Sequence, residues 1–584
     1  MVILGVNAYH GDASAAIVCD GQLVASAEEE RFTRIKHCAG FPAHAVRYCV
    51  REASVKPEEI THVAVARDPT ARLHRKVLYA LRMPWLALDR LAALGKFATI
   101  KAELARALDV DPEKLGAEVH RIEHHKAHLA GSFFVSPFEK AALLSADGLG
   151  DFASTMWGVG EGNRIEVDGA VIFPHSLGLC YTAISQYLGF LKYGDEYKVM
   201  GLAAYGEPEY EDEFERIILL DSRLGFSLGL DYFVHHRTAP NMTWREGAPI
   251  LGRLYSETLA KRLGPSRQPG GVIERWHENI ATSLQARLED AMFSLLNRLY
   301  ERYGLKRLCM AGGVAFNCVV NGQIFEKTPF AEVYIQPAAG DAGLAIGAAF
   351  YLLHQVLRQP RRFVMEHAYW GPAFGDADLR EALSVRHGAL EQQRCWVRKI
   401  ENEAQLCRWT AGQIAKGKVV GWFQGRMEWG PRALGNRSIV VDPRRSEMKD
   451  ILNNRVKHRE PFRPFAPSIL VEWVGNYFEQ THPSPFMLMT YKVKPEKRGV
   501  IPAPTHVDGT GRLQTVDRKT NPLYWQLITE FEKITGVPVL LNTSFNENEP
   551  IVNTPEEAVE CFLRTKMDVL VMGNYAVEKK GNAS

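Results

Sequence analysis

Hydrophobic and polar positions follow two different periods in the first part of the chain. Residues 1–28 contain apolar runs on either side of Asp20 and Gly21, with the polar loop YHGD between the first two runs. Runs of this kind around an Asp-Gly pair predict a β-hairpin start. Residues 71–120 are instead rich in Leu, Ala and Arg without alternation, which predicts an inserted helical segment.

The middle of the chain reads as alternating strands and helices. The apolar run KAALLSA ends on Asp147 and predicts a buried strand. Residues 276–303 have the period of a long amphipathic helix. The order strand, glycine turn, helix then occurs twice, first from residue 307 and again from residue 332. This succession is typical of an α/β domain.

A change of composition after residue 358 predicts the main domain boundary. The stretch LRQPRRFVMEHAYWGPAFGD mixes Pro, Arg and Gly without a clear period. We therefore predict an N-terminal domain over 1–360, a connecting segment over 361–400 and a second α/β domain over 401–584. The length of 584 residues requires more than one core, because single cores stop growing near about 250 to 300 residues.

Composition and charge disfavour several classes of protein. The formal net charge is +2, so no global field attracts nucleic acid or membrane. Nine cysteines without a CxxC pair do not suggest a disulfide framework and fit a reducing compartment. The N-terminus lacks the basic start of a signal peptide, and no apolar stretch is long enough to span a bilayer. We expect a cytoplasmic protein with no membrane or nucleic-acid partner.

Two histidines four residues apart, His124 and His128, form the first candidate site. A helix would place them on one face and turn His125 elsewhere. The spacing alone is weak evidence, and ordinary surface histidines are the alternative. Asp147 ends a predicted strand and Asp341 lies in a glycine-rich turn, the positions where α/β sheets collect ligands. Two imidazoles with two carboxylates suit Fe(II), Mn or Zn.

Two glycine-rich turns are candidate phosphate sites. They are AGGVAFNCVVNG at 311–322 and AAGDAGLAIGAA at 338–349. Backbone amides converge where such turns enter helices, and the helix dipole favours anions. Glycines kept for tight packing are the alternative for each turn alone. Two such turns close together in the sequence favour a nucleotide site.

The segment from Arg426 to Arg463 carries ten Lys or Arg against five acidic residues. Arginines flanked by Gly-Pro and Pro-Phe are predicted to lie in loops, where guanidinium groups bind carboxylate or phosphate in a bidentate manner. Binding of a nucleic-acid backbone is the competing interpretation. The near-neutral total charge disfavours it.

Taken together, the motifs resemble the NodU/CmcH-type O-carbamoyltransferases over nearly the whole chain. The motifs are NAYHGDASAA, EEERFTRIKH, HHKAH, DEYKVMGLAAYG, AGGVAFNCVVNG, GDAGLAIGAA, GRMEWGPRALGNRSI, REPFRPFAP, HVDGTGRLQTV and LNTSFN. The resemblance implies an N-terminal ASKHA domain (actin/Hsp70-like, Kae1/TsaD-like) joined to a C-terminal YrdC/Sua5-like α/β domain. It implies that the C-terminal domain makes carbamoyl-AMP from carbamoyl phosphate and ATP with Mg²⁺. The N-terminal domain would then carbamoylate a hydroxyl of a small molecule, such as an antibiotic, another natural product or a sugar.

The resemblance also implies roles for individual residues. His10 matches the histidine of the transfer step, and Lys36 matches a lysine near the carbamoyl group. The matches to the family's metal ligands, which hold iron, are His124, His128, Asp147 and Asp341. The matches around the N-terminal nucleotide are Lys198, Gly201, Tyr205, Gly312, Gly313, Asn317 and Gly340. The matches around carbamoyl phosphate and the adenylate are Arg432, Lys457, Arg459, Arg463, Arg512, Asn542 and Ser544.

One departure and several alternatives stay open. YrdC proteins read SxN near the chain end, whereas Asn542 here precedes Ser544, so the roles of these two side chains are not assigned. A fused enzyme that threonylcarbamoylates tRNA is a second hypothesis, which the near-neutral charge disfavours. A nucleotide-gated binding protein of the Hsp70 type is a third hypothesis. It is disfavoured because it assigns no function to the arginine loops of the C-terminal domain. The acceptor is not indicated, and a homodimer is a hypothesis only.

Overall fold

The computed structural model describes residues 1–82, 99–221, 224–238 and 242–580. The chain divides into two compact units, Met1–Met365 and Glu366–Ser584. The segment 361–400, predicted to connect two domains, is therefore split between the units. Its larger part supplies two helices and a strand to the second unit.

The N-terminal unit is built on two five-stranded sheets and two short hairpins. The strands of the first sheet are β1 (Val2–Asn7), β2 (Ser14–Cys19), β3 (Gln22–Glu28), β4 (His62–Val65) and β5 (Glu118–Arg121). The strands of the second sheet are β6 (Lys140–Gly150), β7 (Ala153–Glu161), β8 (Arg164–Ile172), β13 (Arg307–Ala311) and β14 (Glu332–Ile335). Two hairpins lie between β8 and β13 in the sequence. They are β9 (Ile218–Leu220) with β10 (Phe226–Leu228), and β11 (Met242–Arg245) with β12 (Ala248–Leu251).

Helices connect and cover these sheets. They are α1 (Glu30–Thr33), α2 (Ala43–Glu52), α3 (Leu73–Arg82), α4 (Ile100–Leu108), α5 (His124–Phe133), α6 (Leu177–Tyr187), α7 (Glu196–Leu202), α8 (Glu211–Ile217), α9 (His235–Thr238), α10 (Glu257–Leu263), α11 (Arg275–Tyr303), α12 (Cys318–Lys327) and α13 (Leu344–Phe350). Helix α11 confirms the long amphipathic helix predicted for 276–303.

The predicted helical insert at 71–120 is correct only in part. Helices α3 and α4 lie in it, but its C-terminal end forms strand β5, which pairs in parallel with β4. The remainder, 83–98, lies outside the described residues. A four-residue strand is too short for its period to stand out against helical neighbours.

The two large sheets repeat one topology. The first has the order β3-β2-β1-β4-β5 and the second the order β14-β13-β6-β7-β8. In each, three consecutive strands form an antiparallel meander. A fourth strand pairs in parallel with the first strand of that meander, and a fifth pairs in parallel with the fourth. A duplicated sheet of this order is the actin/Hsp70-like architecture. The predicted ASKHA class is confirmed, although no repeat is visible in the sequence itself.

Local sequence explains the first hairpin, and small residues explain how closely the helices α5 and α13 pack. Asp20 and Gly21 both have positive φ, 49° and 85°, as the tight turn between β2 and β3 requires. The last helices of the two halves, α5 and α13, pack against each other. A Cβ at Gly347 of α13 would lie 1.9 Å from the backbone oxygen of Ala127 in α5. Only glycine permits this approach.

The C-terminal unit is a mixed nine-stranded sheet with helices. Its strands are β15 (Cys395–Lys399), β16 (Val420–Phe423), β17 (Arg437–Val441), β18 (Ala466–Leu470), β19 (Met489–Lys492), β20 (Thr510–Val516), β21 (Val539–Ser544), β22 (Val569–Met572) and β23 (Tyr575–Lys579). The sheet order is β15-β23-β22-β16-β17-β21-β18-β20-β19. Its helices are α14 (Asp376–Val385), α15 (His387–Gln392), α16 (Glu403–Ala415), α17 (Met448–Leu452), α18 (Val474–Tyr477), α19 (Pro495–Arg498), α20 (Pro522–Thr535) and α21 (Pro555–Arg564). This confirms the predicted α/β class.

Tighter and wider helical turns occur in both units. The π-helical turns Tyr351–Val356 and Asn453–Lys457 extend α13 and α17. Single 3-10 turns are Pro57–Glu59, Pro112–Lys114, Ala203–Tyr205, Leu230–Tyr232, Gly313–Phe316, Asp341–Gly343 and Val471–Trp473. Among the helices of the described ranges, none combines the length and the apolar character needed to cross a membrane.

Candidate active sites

Four buried side chains from three elements meet in the N-terminal unit. His124 and His128 lie on one face of α5, Asp147 lies near the end of β6, and Asp341 lies in the turn before α13. One donor atom from each residue lies within 4.8 Å of the others. The structure thus brings together the four residues that the sequence proposes as metal ligands.

The distances in this cluster leave two donor atoms unsatisfied. His124 Nε2 lies 3.1 Å from Asp147 Oδ2. His128 Nε2 lies 3.6 Å from Asp147 Oδ2 and 3.5 Å from Asp341 Oδ1. Within the described residues, His128 Nε2 and Asp341 Oδ1 are buried without a hydrogen-bond partner. Buried polar atoms without partners are costly, so this donor set fits a divalent cation.

The electrostatics of the cluster also favour positive charge. Burial disfavours a charged imidazole, but the neighbouring carboxylates of Asp147 and Asp341 raise the pKa of His128 to about 9. Burial likewise opposes the charged carboxylate, but His124 and His128 hold the pKa of Asp147 well below its usual range. Burial and Asp147 raise the pKa of Asp341, but His10 and His128 outweigh them and lower it. Both carboxylates therefore stay ionised inside the protein and attract a cation.

His125 has a different environment from its two neighbours. Its Nδ1 lies 2.8 Å from Ser145 Oγ and its Nε2 lies 3.0 Å from the Ala153 carbonyl oxygen. Burial and the adjacent His124 lower the pKa of His125 to about 3. The ring is therefore neutral, and both nitrogens are already hydrogen bonded away from the cluster.

Backbone groups and small residues fix the positions of the clustered side chains. Asp147 Oδ1 accepts a hydrogen bond of 2.7 Å from the Gly313 amide. Asp151 Oδ2 accepts from the amides of His124 at 2.9 Å and Asp68 at 2.8 Å. A Cβ at Gly150 would lie 2.0 Å from His124 Cγ, so the imidazole occupies space that only glycine leaves.

His10 lies beside the cluster in the loop between β1 and β2. Its Nδ1 is 2.6 Å from Asp341 Oδ2. Burial lowers the pKa of His10, but the Asp341 carboxylate outweighs burial and raises it. Because Asp341 engages Nδ1, Nε2 is the ring nitrogen left for a substrate.

Lys36 is exposed at its position beside the loop of His10. The neighbouring His37 ring lies 2.7 Å from Asp12 Oδ1. The backbone of the segment is hydrogen bonded to the His10 loop, from the Ala13 amide to the Cys38 carbonyl at 2.8 Å and from the Tyr9 amide to Gly40 at 2.8 Å. The segment that carries Lys36 is thus joined to the segment that carries His10.

The predicted nucleotide residues in the turns of the second sheet border the cluster of two histidines and two aspartates. Gly312 has a positive φ of 91°, and its Cβ would lie 2.2 Å from the Ala146 carbonyl oxygen. Asn317 caps α12 by accepting from the Val320 amide at 3.0 Å. It also exchanges two hydrogen bonds with Gln285, so its side chain is fully engaged within the protein. A Cβ at Gly340 would contact the ring of Phe316 at 2.8 Å.

The remaining predicted nucleotide residues lie on α7 and the turn after it. Lys198 pairs with Asp195 at 3.0 Å. Gly201 is buried, and the half-buried Tyr205 accepts a hydrogen bond from Arg275 at its carbonyl oxygen. Helix α7 meets the start of α12 through Met200 Sδ and Cys318 Sγ, 3.8 Å apart.

In the C-terminal unit, Lys457 is buried and donates to oxygen atoms of Ser544 and Asn546. Its Nζ lies 2.5 Å from the Ser544 carbonyl and 3.3 Å from Ser544 Oγ. It lies 2.8 Å from the Asn546 carbonyl and 2.7 Å from Asn546 Oδ1. These four oxygen atoms belong to neutral groups.

Asn542 belongs to a polar network on the same face of the sheet. Its Nδ2 donates to Gln514 Oε1 at 2.9 Å, to Ser468 Oγ at 3.1 Å and to the Ala433 carbonyl at 3.1 Å. Side chains alternate along strands, so Ser544 shares this face with Asn542, and Arg512 shares it with Gln514. Lys457, Arg512, Asn542 and Ser544 therefore line one surface.

Two of the other predicted arginines, Arg459 and Arg463, follow Lys457 in the chain, and the third, Arg432, lies in the loop before β17. Arg459 Nε donates to Asn453 Oδ1 at 2.9 Å, and its guanidinium lies 4.3 Å from the Phe465 ring centroid. Arg463 lies 3.5 Å from Glu460. Arg432 precedes Ala433, whose carbonyl oxygen contacts Asn542, so the arginine loop lies over the network.

Two models of known protein families cover most of the chain. The model described as the carbamoyltransferase N-terminus matches residues 2–350, and the one described as the carbamoyltransferase C-terminus matches residues 411–579. The chain belongs to the carbamoyltransferase family. This confirms the resemblance and the prediction of a carbamoyl-transferring enzyme.

Relatives of this carbamoyltransferase occur in several bacteria. It is 39% identical to the nodulation protein NolNO of Sinorhizobium fredii, over 98% of this chain and 80% of that protein. It is 42% identical to the nodulation protein NolO of Bradyrhizobium diazoefficiens, over 79% of each chain. An uncharacterized protein of Synechocystis sp. is 40% identical over 99% of this chain and 96% of the relative.

Sequence reasoning missed residues of the carbamoyltransferase that shape its sites. The buried Glu428 accepts from the amides of Leu434 at 2.7 Å and Asn436 at 2.8 Å. Arg437 is fully buried and donates to backbone carbonyls, including that of Gln424 at 2.6 Å. The guanidinium of Arg437 thus holds its own loop. Only the buried environment distinguishes such an arginine from a ligand-binding one.

Proposed function

We propose that this carbamoyltransferase uses ATP and carbamoyl phosphate. Its C-terminal unit forms carbamoyl-AMP, and its N-terminal unit transfers the carbamoyl group to a hydroxyl of a small-molecule acceptor. The buried cluster of His124, His128, Asp147 and Asp341, with His10 on Asp341, carries this proposal. The four donors suit a divalent cation and the adjacent imidazole suits a proton acceptor, which supports the proposal for a member of the carbamoyltransferase family.

The donor half needs positive charge around leaving phosphates. Water cleaves carbamoyl phosphate to carbamate and inorganic phosphate. A carbamate oxygen then attacks the α-phosphorus of ATP, and Mg²⁺-bound pyrophosphate leaves. Lys457 and Arg512, on one face of the sheet with Asn542, would stabilise the charge that develops on these oxygens.

The transfer half needs a base. The acceptor oxygen attacks the carbonyl carbon of carbamoyl-AMP, AMP leaves, and the hydroxyl proton passes to His10 Nε2. Asp341 faces Nδ1 at 2.6 Å and so orients the ring and stabilises the imidazolium that forms. A positioned base of this kind contributes about 10² to 10⁴ in rate.

His124, His128, Asp147 and Asp341 would hold Fe(II) or a similar divalent ion. The unsatisfied His128 Nε2 and Asp341 Oδ1 support this assignment. When bound, the ion supplies positive charge that orients and polarises the phosphate of an adenylate. The Gly313 amide, in the adjoining glycine turn, donates a hydrogen bond to Asp147 and so holds that ligand in position.

Phosphorus NMR with mass spectrometry on the purified, metal-loaded protein tests the donor half. Wild type with ATP, Mg²⁺ and carbamoyl phosphate should form AMP, pyrophosphate or carbamoyl-AMP, and should form none when carbamoyl phosphate is omitted. Arg512→Ala should slow this formation by about 10² or more. Arg518→Ala, an exposed arginine of the same unit, should match wild type.

Two results would contradict the proposal. One is no turnover that depends on carbamoyl phosphate, with folded protein and a panel of hydroxyl acceptors. The other is AMP formation that requires threonine and bicarbonate instead, which would favour the tRNA-modifying alternative.

A further inference from the structure

A second group of histidine and carboxylate side chains lies on the first sheet of the N-terminal unit. His62 begins β4, and Glu118 and His120 lie on β5, the edge strand of that sheet in the described structure. The parallel pairing sets His62 opposite Glu118 and Ala64 opposite His120. Because side chains alternate along a strand, all three side chains project from one face.

The three donor atoms have the spacing of a metal site. His62 Nδ1 lies 3.1 Å from His120 Nε2. Glu118 Oε2 lies 3.9 Å from the first nitrogen and 3.6 Å from the second. Tetrahedral zinc with bonds of about 2.0 to 2.1 Å separates two ligand nitrogens by about 3.4 Å. The nitrogens are close to this spacing, and Glu118, with a side chain 70% exposed, has room to adjust its carboxylate.

A hydrogen bond between two neutral imidazoles is the alternative explanation of the short nitrogen distance. It uses one ring as donor and the other as acceptor, and it gives the Glu118 carboxylate no part. A metal ion uses all three donors at once. The two histidines are each less than one fifth exposed, so their rings are held in position before any ion arrives.

We propose that His62, Glu118 and His120 bind a divalent transition-metal ion, with Zn²⁺ the best match to two imidazoles and one carboxylate. A water molecule would complete the coordination on the exposed side. The site is distinct from the cluster of His124 and has its own set of ligands.

The position of this site gives it a structural role. Strand β5 continues through Glu123 into α5, which carries His124 and His128. Strand β4 continues to Asp68, whose amide donates to the same Asp151 carboxylate as the His124 amide. An ion bridging the N-terminal ends of β4 and β5 would therefore stabilise the two strands that lead into the candidate active site.

Metal counting on the full-length protein tests the proposal. Chelator-treated wild type is titrated with Co²⁺, followed by its visible absorption, and with Zn²⁺, followed by elemental analysis after gel filtration. His120→Ala should bind one ion fewer per chain than wild type. His387→Ala should bind as many as wild type, because His387 is an exposed histidine beside a single glutamate, 3.5 Å from Glu391.

A conservative variant and a stability measurement separate binding from misfolding. Glu118→Gln keeps the shape of an exposed side chain and should weaken binding at this site by about 10-fold or more. Zn²⁺ should raise the thermal midpoint of wild type more than that of His120→Ala. The proposal is overturned if His120→Ala and wild type bind the same number of ions. It is also overturned if Glu118→Gln binds with unchanged affinity.

Discussion

Two histidines three positions apart on α5 show how a side chain's partners decide its chemistry. His128 Nε2 faces two carboxylates without a hydrogen bond, whereas both nitrogens of His125 are bonded to Ser145 and Ala153. Both rings are buried on the same helix. Their difference is therefore a matter of orientation, which makes them a matched pair for mutation.

We predict that His128→Gln removes one equivalent of Fe(II) per chain and His125→Gln does not. Glutamine at 125 can still hydrogen bond to Ser145 or to the Ala153 carbonyl, whereas glutamine at 128 replaces a strong nitrogen ligand by a weak amide. The measurement is iron content after anaerobic reconstitution and gel filtration. Equal iron in both variants would contradict the assignment of His128.

The pair of His37 and Asp12 predicts a pH dependence of stability. Burial opposes the charged ring, but Asp12 at 2.7 Å raises the pKa of His37 to about 9. This folded-state pKa lies above the unfolded value of about 6.5, so the stabilisation is complete below about pH 6.5 and is lost as the pH rises through about 9. The His37 side chain is 30% exposed, so solvent screening reduces the effect to about 1 to 2 kcal/mol.

Thermal unfolding of wild type, His37→Gln and Asp12→Asn checks this dependence. The stability advantage of wild type over each variant should be largest near about pH 6 and should shrink towards about pH 10. Both variants should lose the same pH-dependent part of the free energy of unfolding, because either substitution breaks the ion pair. An advantage that grows with pH would show that the ring is neutral in the folded protein.

Among the elements, α5 and α13 depend on small residues where they meet. The space for a Cβ at Gly347 is already filled by the Ala127 carbonyl, and that at Gly131 by the side-chain amide of Gln336. These contacts hold α5, with its two histidines, against the helix that follows Asp341. Close helix packing thus fixes the distance between clustered side chains from different elements.

Gly347→Ala should destabilise the N-terminal unit by about 1 to 3 kcal/mol or more, because a methyl group would overlap a backbone oxygen that cannot move alone. Gly116→Ala in the same unit meets no atom within 4 Å and should change stability by less than about 1 kcal/mol. Denaturant unfolding with hydrogen exchange of α5 measures both. A tolerated Gly347→Ala would mean that the helices separate without cost.

For the whole molecule, the two units carry separate sets of candidate residues. The His124 cluster and His10 lie in Met1–Met365, and Lys457 and Arg512 lie in Glu366–Ser584. If each unit performs one half of the reaction, variants of one unit should leave the other half reaction measurable.

We predict that His10→Gln keeps pyrophosphate formation from ATP and carbamoyl phosphate but lowers acceptor carbamoylation by about 10² to 10⁴. Lys457→Ala should lower both pyrophosphate formation and acceptor carbamoylation, because without carbamoyl-AMP the second step has no carbamoyl group to transfer. His44→Gln is the control for His10, since His44 Nδ1 also faces a buried carboxylate, Glu29 at 2.6 Å, outside the cluster. Equal loss of pyrophosphate formation in His10→Gln would contradict a division of labour between the units.

The sequence by itself determined the elements whose signals are local. Asp20 and Gly21 encode a turn, the period of α11 encodes a helix, and the two strand and glycine-turn units after it form as predicted. The motifs also indicated the four clustered side chains and the carbamoyltransferase family. Such signals are readable because hydrogen bonding and burial within one element depend on residues a few positions apart.

Only the tertiary structure decided how distant residues combine. The duplicated sheet order, which brings Asp147 and Asp341 to the same histidines, leaves no repeat in the sequence. Asp151, Gly150 and Glu428 act through backbone amides or through space left for a neighbour, and such roles have no pattern of residue types. The physical reason is that sheet order and close packing are set by contacts between elements far apart in the chain, whereas the hydrophobic period reports only which face of each element is buried.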